Sequence, residues 1–418
     1  MSEFHDAVEQ RLIRYAKINT QSGNDSDTVP TTMCQFDLAR LLEEELKGIG
    51  AVNVWLDEKV CVLYAEIPGN VENCRTLGLI AHMDTAPDAP GDGVKPWVLR
   101  NYDGSDITLN AEKNIVIKVS EFPNLQKYMG DDLVLTDGTT LLGGDDKASI
   151  AAIMTFAEYL LKHPEIPHGR ICLAFTPDEE VGGLACNLDL QRFGSDTAYT
   201  LDGDYCGAYI DETFNASMAR VEVKGRSVHT GTAKGKMINA VDVLMEYASC
   251  LPADERPQNT EGREGFFHVY EVKGGCEHAS MDLIVRDFDA GRFQKREEYL
   301  GTIRDELNVK YGDIVSLRIT EQYRSMKEVI DQHPWLVENL KEAIRACGIE
   351  PATMPFRGGT DGSALSWRGL PCPNLSAGYE NAHSRFEYVP VRSMEMNVMI
   401  LLKLAEIFST QSDMSLSR

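Results

Sequence analysis

Four apolar stretches of this chain each deliver a histidine or an acid at one end, and that repeated pattern restricts the fold more than any other feature. Leu77 to Ala81 reads as a strand that ends in His82, with Asp84 two residues on. The run Arg170-Ile-Cys-Leu-Ala-Phe-Thr-Pro delivers Asp178, Glu179 and Glu180, and Ala198-Tyr-Thr-Leu delivers Asp202 and Asp204. At the fourth, Gly143-Gly-Asp145-Asp146 opens an apolar helical run from Lys147 to Leu161, and the diglycine permits a sharp turn. Taken singly, each has a plain explanation. An Asp pair is most often a helix N-cap, an acidic turn is usually solvated, and a lone His is more often a satisfied surface or core residue. Ligand sites in α/β sheets form outside the carboxyl ends of the strands. Four such endings together therefore point to side chains converging on one site, and acids as close as Asp145 and Asp146 call for a cation beside them.

The rest of the chain gives this pattern its setting. A length of 418 residues exceeds what one core supports, so two domains are expected. Helices are expected over 3–18 and 31–47, and strands over 52–56 and 60–67. A long irregular stretch, 87–142, has short strands near 115–119 and 133–136. The texture changes at about Asp211. Strands over 217–225, 266–273, 279–288 and 315–322 alternate with helices over 237–251 and 292–311. That β-α-β-β-α-β order is the ferredoxin-like split motif. Residues 212–325 read as an inserted lid domain, and 1–211 plus 326–418 as a mixed-sheet α/β catalytic domain. A helix over 333–347, a short strand over 373–376 and a helix over 391–408 complete it, and the polar tail from 409 is expected to fray.

Composition excludes several classes of function. Hydrophobic residues make up 43% and charged residues 25%, the profile of a folded soluble protein. A net charge of −24 disfavours nucleic-acid and anionic-membrane partners. The opening Met1-Ser-Glu-Phe-His-Asp lacks signal-peptide character and no apolar run is long enough to span a bilayer, so a cytoplasmic location is expected. The ten cysteines form no Cys-x-x-Cys pair and read as buried, reduced thiols. The Gly-rich Phe356-Arg-Gly-Gly-Thr-Asp-Gly-Ser lacks the lysine of a phosphate-binding loop, which argues against nucleotide binding.

Two imidazoles, His82 and His383, and three carboxylates, Asp145, Glu180 and Asp202, make a mixed donor set that suits Zn²⁺, Mn²⁺ or Co²⁺. Five ligands are too many for one open catalytic zinc. They suit two ions roughly 3.5–4 Å apart that share a carboxylate. A water between such ions has its pKa lowered towards ~7 and becomes a usable hydroxide. Glu179, not spent on metal, would accept its proton and pass it to a leaving amine. On an extended chain His82 and Asp84 face the same side, which fits a carboxylate orienting a metal-bound imidazole.

The segments that carry these residues resemble the M20 family of dinuclear zinc peptidases, and within it the tripeptide aminopeptidases, over about residues 5 to 410. They are His82-Met-Asp-Thr, Leu142-Gly-Gly-Asp-Asp-Lys, Thr176-Pro-Asp-Glu-Glu-Val-Gly, Leu201-Asp-Gly-Asp, Val228-His-Thr-Gly-Thr-Ala-Lys-Gly-Lys-Met-Ile-Asn-Ala, Arg357-Gly-Gly-Thr-Asp-Gly and Asn381-Ala-His-Ser-Arg-Phe-Glu. The resemblance implies that His82 and Asp202 hold one zinc and Glu180 and His383 the other. It makes Asp145 the bridge, followed by a cis peptide, Asp84 the group orienting His82, and Glu179 the general base. In the lid it makes His229 the group steadying the oxyanion, Arg286 and Arg357 carboxylate-binding groups, and Asn239 a substrate contact. The implied activity is release of the N-terminal residue from short peptides, tripeptides above all, with two Zn²⁺ per subunit; a homodimer is compatible. A dipeptidase or an N-acyl amino-acid hydrolase could use the same metals. A catalytically silent metal-binding homologue is disfavoured by the presence of Glu179, and a phosphohydrolase by the few basic residues in the lid.

Overall fold

Apolar runs without alternation make strands that are buried on both faces, and these organise the larger part of the molecule. The computed structural model describes all residues except Met1, Asp25, Asp27, Leu184 and 413–418. It divides into two compact units, Met1–Asp211 with Glu328–Met354 and Thr360–Arg418, and Glu212–Lys327 with Pro355–Gly359.

The first unit is built on eight strands: β1 (Val52–Asp57), β2 (Val62–Ile67), β3 (Leu77–His82), β4 (Ile171–Thr176), β5 (Ala198–Leu201), β6 (Ala208–Ile210), β7 (Ala352–Thr353) and β8 (Asn374–Leu375). Their order is β1-β2-β4-β3-β5-β8-β6-β7. β4, β3, β5 and β8 run parallel to one another, with His82 opposite Thr176 in the β3–β4 register, and β1, β2 and β6 pair antiparallel with their inner neighbours. β3 and β4 are buried at every position. The parallel run matters for function because it sends the carboxyl ends of β3, β4 and β5 to the same edge of the sheet. The helix Gly144–Lys162 packs on β3 and against the helices His5–Ala16 and Val391–Ser409. It is buried from Gly144 to Ala157, as a helix that is apolar on all sides must be.

Several expected boundaries move for physical reasons. The second helix begins at Gln35, not near Thr31, because the Thr31 N–H and hydroxyl are bonded to the Asp178 carboxylate and the Thr32 hydroxyl to the Gln21 carbonyl. The Gly-rich stretch after Arg357 contains a helix, Asp361–Trp367, capped by Thr360 and Ser363 in a reciprocal capping box. The irregular stretch 87–142 also holds strands Trp97–Leu99 and Ile107–Asn110, packed around Tyr102, Leu125, Tyr128 and Tyr388. The last helix reaches Ser409; residues 413–418 of the tail expected to fray lie outside the described residues. None of the ten cysteines is in a disulfide; Cys61, Cys172 and Cys372 are buried, whereas Cys186 is exposed.

The second unit has a four-stranded antiparallel sheet in the order Phe266–Gly274, His278–Asp287, Asn215–Lys224, Val315–Tyr323. Helices Ala240–Cys250 and Ala290–Tyr311 pack on it over a core that includes Val221, Val223, Leu244, Tyr247, Leu283 and Leu300. Among the described residues, no helix is long and apolar enough to cross a membrane.

Candidate metal centre

Gly143 adopts φ +75°, a region that disfavours side chains, and a Cβ there would lie 2.9 Å from Thr85. The turn it makes places Asp145 and Asp146 at the start of the long buried helix, and the Asp145–Asp146 peptide is cis. Asp145 faces two imidazoles: its Oδ1 lies 3.0 Å from His82 Nε2 and its Oδ2 3.4 Å from His383 Nε2. His383 Nε2 is also 2.8 Å from Glu180 Oε2. Two groups of three potential ligands result, His82–Asp145–Asp202 and Asp145–Glu180–His383, each with its ligand atoms within 4.8 Å of one another. Asp145 belongs to both.

Charge and satisfaction test whether this set fits cations. Among the described residues no lysine or arginine pairs with Asp145, Glu180 or Asp202, although Asp145 and the Glu180 side chain are buried. Glu180 Oε1 is buried without a hydrogen-bond partner, an atom left free for a ligand. Burial and the nearby Asp145 push the Glu180 carboxyl up to about 8, and burial raises Asp202 and Glu179 as well. Burial would also raise Asp145, but its bonds to His383 and His82 hold it below the ordinary carboxylate value. Burial works against His82 ionisation, yet the bonds to Asp145 and Asp84 outweigh it and raise its pKa. Asp145 and Glu180 push His383 up to about 11. In the absence of metal, protons therefore take the place of cations, which is the behaviour of carboxylates and imidazoles arranged for metal.

A shell of further residues holds these groups. Asp84 is fully buried; its Oδ1 is 3.3 Å from His82 Nδ1 and accepts the Glu179 N–H (3.0 Å), while Oδ2 accepts the Glu180 N–H (3.2 Å). One carboxylate thus ties the end of β3 to the acidic turn after β4. That turn is fixed from its other side by Asp178, which stands at φ +62° and accepts from Thr31 and Gln35. Tyr379 donates to Asp202 Oδ1 (2.6 Å) and accepts the Gly203 N–H (2.9 Å). The Thr176 hydroxyl donates to Asp361 Oδ2 at 2.8 Å, and burial pushes the Asp361 carboxyl up to about 7. No sequence pattern singles out Tyr379 or Asp361 for these contacts.

His229, Asn239, Arg286 and Arg357 lie in the second unit. His229 is exposed and its Nδ1 accepts the Gly231 N–H. Asn239 caps the helix Ala240–Cys250 by accepting the Val241 N–H. Arg286 donates from Nη1 to the Arg357 carbonyl, and its Nε is buried without a partner. Arg357 is tied into its own unit through Nη1 and Nη2. Its guanidinium donates to the carbonyls of Gly262 and Glu264 and to the Thr260 hydroxyl, which fastens the loop at 260–264.

A mixed α/β sheet carrying two groups of potential ligands that share one carboxylate suits a metal-dependent hydrolase, and sequence comparison places it further. The sequence profile of peptidase family M20/M25/M40 matches residues 142–407. Peptidase T of Clostridium botulinum (strain Loch Maree / Type A3) is 49% identical over 97% of this chain and 99% of its own length. Peptidase T of Caldanaerobacter subterraneus subsp. tengcongensis is 46% identical over 96% of this chain and 98% of its own. The chain belongs to peptidase family M20/M25/M40. The fold is shared with the crystal structures of aminopeptidase PepT from Bacillus cereus (TM-score 0.76, 21% identity, 96% of this chain and 98% of that one) and of a tripeptidase from Staphylococcus aureus (TM-score 0.78, 21% identity, 97% and 99%).

Proposed function

We propose that the chain is a cytoplasmic aminopeptidase that releases the N-terminal residue of short peptides, tripeptides above all, at a centre of two divalent ions. The observation that carries this reading is the sharing of Asp145 by two ligand groups with a partnerless Glu180 oxygen beside them. His82 and Asp202 would hold one ion, Glu180 and His383 the other, and Asp145 both. Zn²⁺ suits the donor set, with Mn²⁺ or Co²⁺ as substitutes. When bound, the ions would acidify a water and polarise the scissile carbonyl.

The protein's own groups do the rest. Glu179 sits beside the ligands with its backbone pinned by Asp84, and its carboxylate is the base that takes a proton from water and gives it to the departing amine. Asp84 keeps the His82 imidazole in one orientation. Residues 1–211 with 326–418 form the catalytic domain, and 212–325 a lid. The lid supplies His229 to the developing oxyanion, and Arg286 and Asn239 to the peptide beyond the cleaved bond. Arg357, which also fastens the loop at 260–264, joins Arg286 as a carboxylate-binding group. The names of the relatives, peptidase T and tripeptidase, support tripeptides as the substrate. A homodimer is compatible with this reading.

The test is a matched set of a dipeptide, tripeptide, tetrapeptide and N-acetylated tripeptide, assayed with the Zn²⁺-loaded protein. Fast cleavage of the free tripeptide, lost on acetylation, is expected. Preference for the acetylated or the two-residue substrate would move the chain to an acyl-hydrolase or dipeptidase activity.

A further inference from the structure

Glu387 ends the Asn381-Ala-His-Ser-Arg-Phe-Glu segment, four residues after His383, and is 2% exposed. Its carboxylate reaches across 242 residues of sequence to the turn that opens the long helix. Oε1 accepts the Asp145 N–H at 2.8 Å. Oε2 accepts the Gly143 N–H at 2.8 Å and the Leu142 N–H at 3.1 Å. Three backbone donors of one turn therefore converge on a single side chain from another loop. Gly144 makes room for this grip, since a Cβ there would stand 3.0 Å from Glu387 Oε1 and collide with Val389.

The two segments joined in this way are not equivalent pieces of scaffold. One presents Asp145, common to both ligand groups, and the other presents His383. The His383 loop has little regular structure to hold it: Asn381 and His383 both take left-handed backbone conformations, and a bridge between Glu380 and Tyr388 closes its base. A buried carboxylate whose hydrogen bonds all go to one turn fixes the distance between that turn and its own loop.

We propose that Glu387 is a positioning residue that fastens the Asp145 turn to the His383 loop and so sets the affinity of the centre for its ions, a role that rests on the metal-centre reading above. It touches neither substrate nor ligand side chain, and it acts through the Asp145 backbone. Outer partners of this kind typically govern metal affinity or activity by about 10–100-fold.

The experiment measures Zn²⁺ affinity by competition with a chelating indicator and records the visible spectrum of the Co²⁺-loaded protein, for wild type, Glu387→Gln and Glu395→Gln. The glutamine keeps the shape but turns an amide NH₂ toward one set of backbone N–H donors. Glu395→Gln is the control; it also removes a buried carboxylate, one that holds the Ser2 N–H and hydroxyl. Glu387→Gln is expected to lower Zn²⁺ affinity by about 10–100-fold and to shift the Co²⁺ spectrum, whereas Glu395→Gln lowers only the melting temperature. Wild-type affinity in folded Glu387→Gln overturns the role, as does a loss of affinity in both variants that follows their melting temperatures. If Glu387→Gln does not fold, Gly144→Ala applies the same strain from the other side, and unchanged affinity there overturns the role equally. A wild-type protein that binds neither ion would instead overturn the metal-centre reading itself.

Discussion

Replacing Asp84 by Asn should weaken the metal centre without changing its shape. Asp84 has no exposed surface, and its two oxygens serve three donors: the His82 ring at 3.3 Å, the Glu179 N–H at 3.0 Å and the Glu180 N–H at 3.2 Å. Asn offers one acceptor oxygen. If that oxygen keeps the Oδ1 position, His82 and Glu179 are served and the Glu180 N–H faces an amide NH₂. The reverse placement abandons His82 and Glu179. Either way at least one hydrogen bond to a charged group is lost, at about 1.5–3 kcal/mol. Felt wholly in metal binding, this is a fall of about 10–150-fold in affinity, at roughly 1.4 kcal/mol per decade. The assay is Zn²⁺ affinity by indicator competition alongside kcat/KM on a free tripeptide, with far-ultraviolet circular dichroism to confirm the fold. An Asp84→Asn protein within about threefold of wild type in both would refute the assignment of Asp84 as the link between His82 and the acidic turn.

Glu179→Gln should keep its ions while kcat falls by about 10²–10⁴-fold, because the base is gone and the Asp84 tether to its backbone remains; near-normal turnover with full metal content would remove Glu179 as the base. Metal affinity should climb as pH rises from about 6 to 8, because His383 is held protonated by Asp145 and Glu180 and must lose that proton to ligate. Calorimetry in buffers of different ionisation enthalpy should register proton release, and pH-independent affinity would contradict it. The metal-free protein should lose stability over the same rise in pH. His82, His383, Glu179, Glu180 and Asp202 all have folded pKa values above their ordinary ones, so the folded state binds more protons than the unfolded chain and their contribution is lost as pH climbs through the folded values. Asp145, shifted the other way, contributes stability that is lost only as pH falls below the ordinary carboxylate range. Melting curves of chelated protein at pH 5 to 8 measure this, and flat or rising melting temperatures would refute it.

The parts of the fold legible in sequence are those with a local signal. β3, β4 and β5 are continuous apolar runs, and each announces its end with a polar residue that proves to stand at the ligand cluster. The order of strands and helices from 215 to 323 shows in alternation alone. What was not legible depends on pairings between distant residues. Tyr379 and Asp202 are 177 residues apart and Glu387 and Asp145 242, and no periodicity marks either pair. Glu387 lies four residues after His383, but a single Glu beside Tyr388 has no pattern of its own. The helix Asp361–Trp367 was hidden by the glycines around it, although the Thr360–Ser363 spacing was a usable cap signal. The bonds from Arg357 to the carbonyls of Gly262 and Glu264 are equally invisible in sequence, because 95 and 93 residues separate the partners.

The most direct test of a two-metal aminopeptidase is the fate of one free tripeptide before chelation, after chelation and after return of Zn²⁺, with products separated by mass. Release of the N-terminal residue and an intact dipeptide, abolished by chelator and restored at about two Zn²⁺ per chain, is the expected result. Hydrolysis that survives complete metal removal, or that frees the C-terminal residue first, would contradict it.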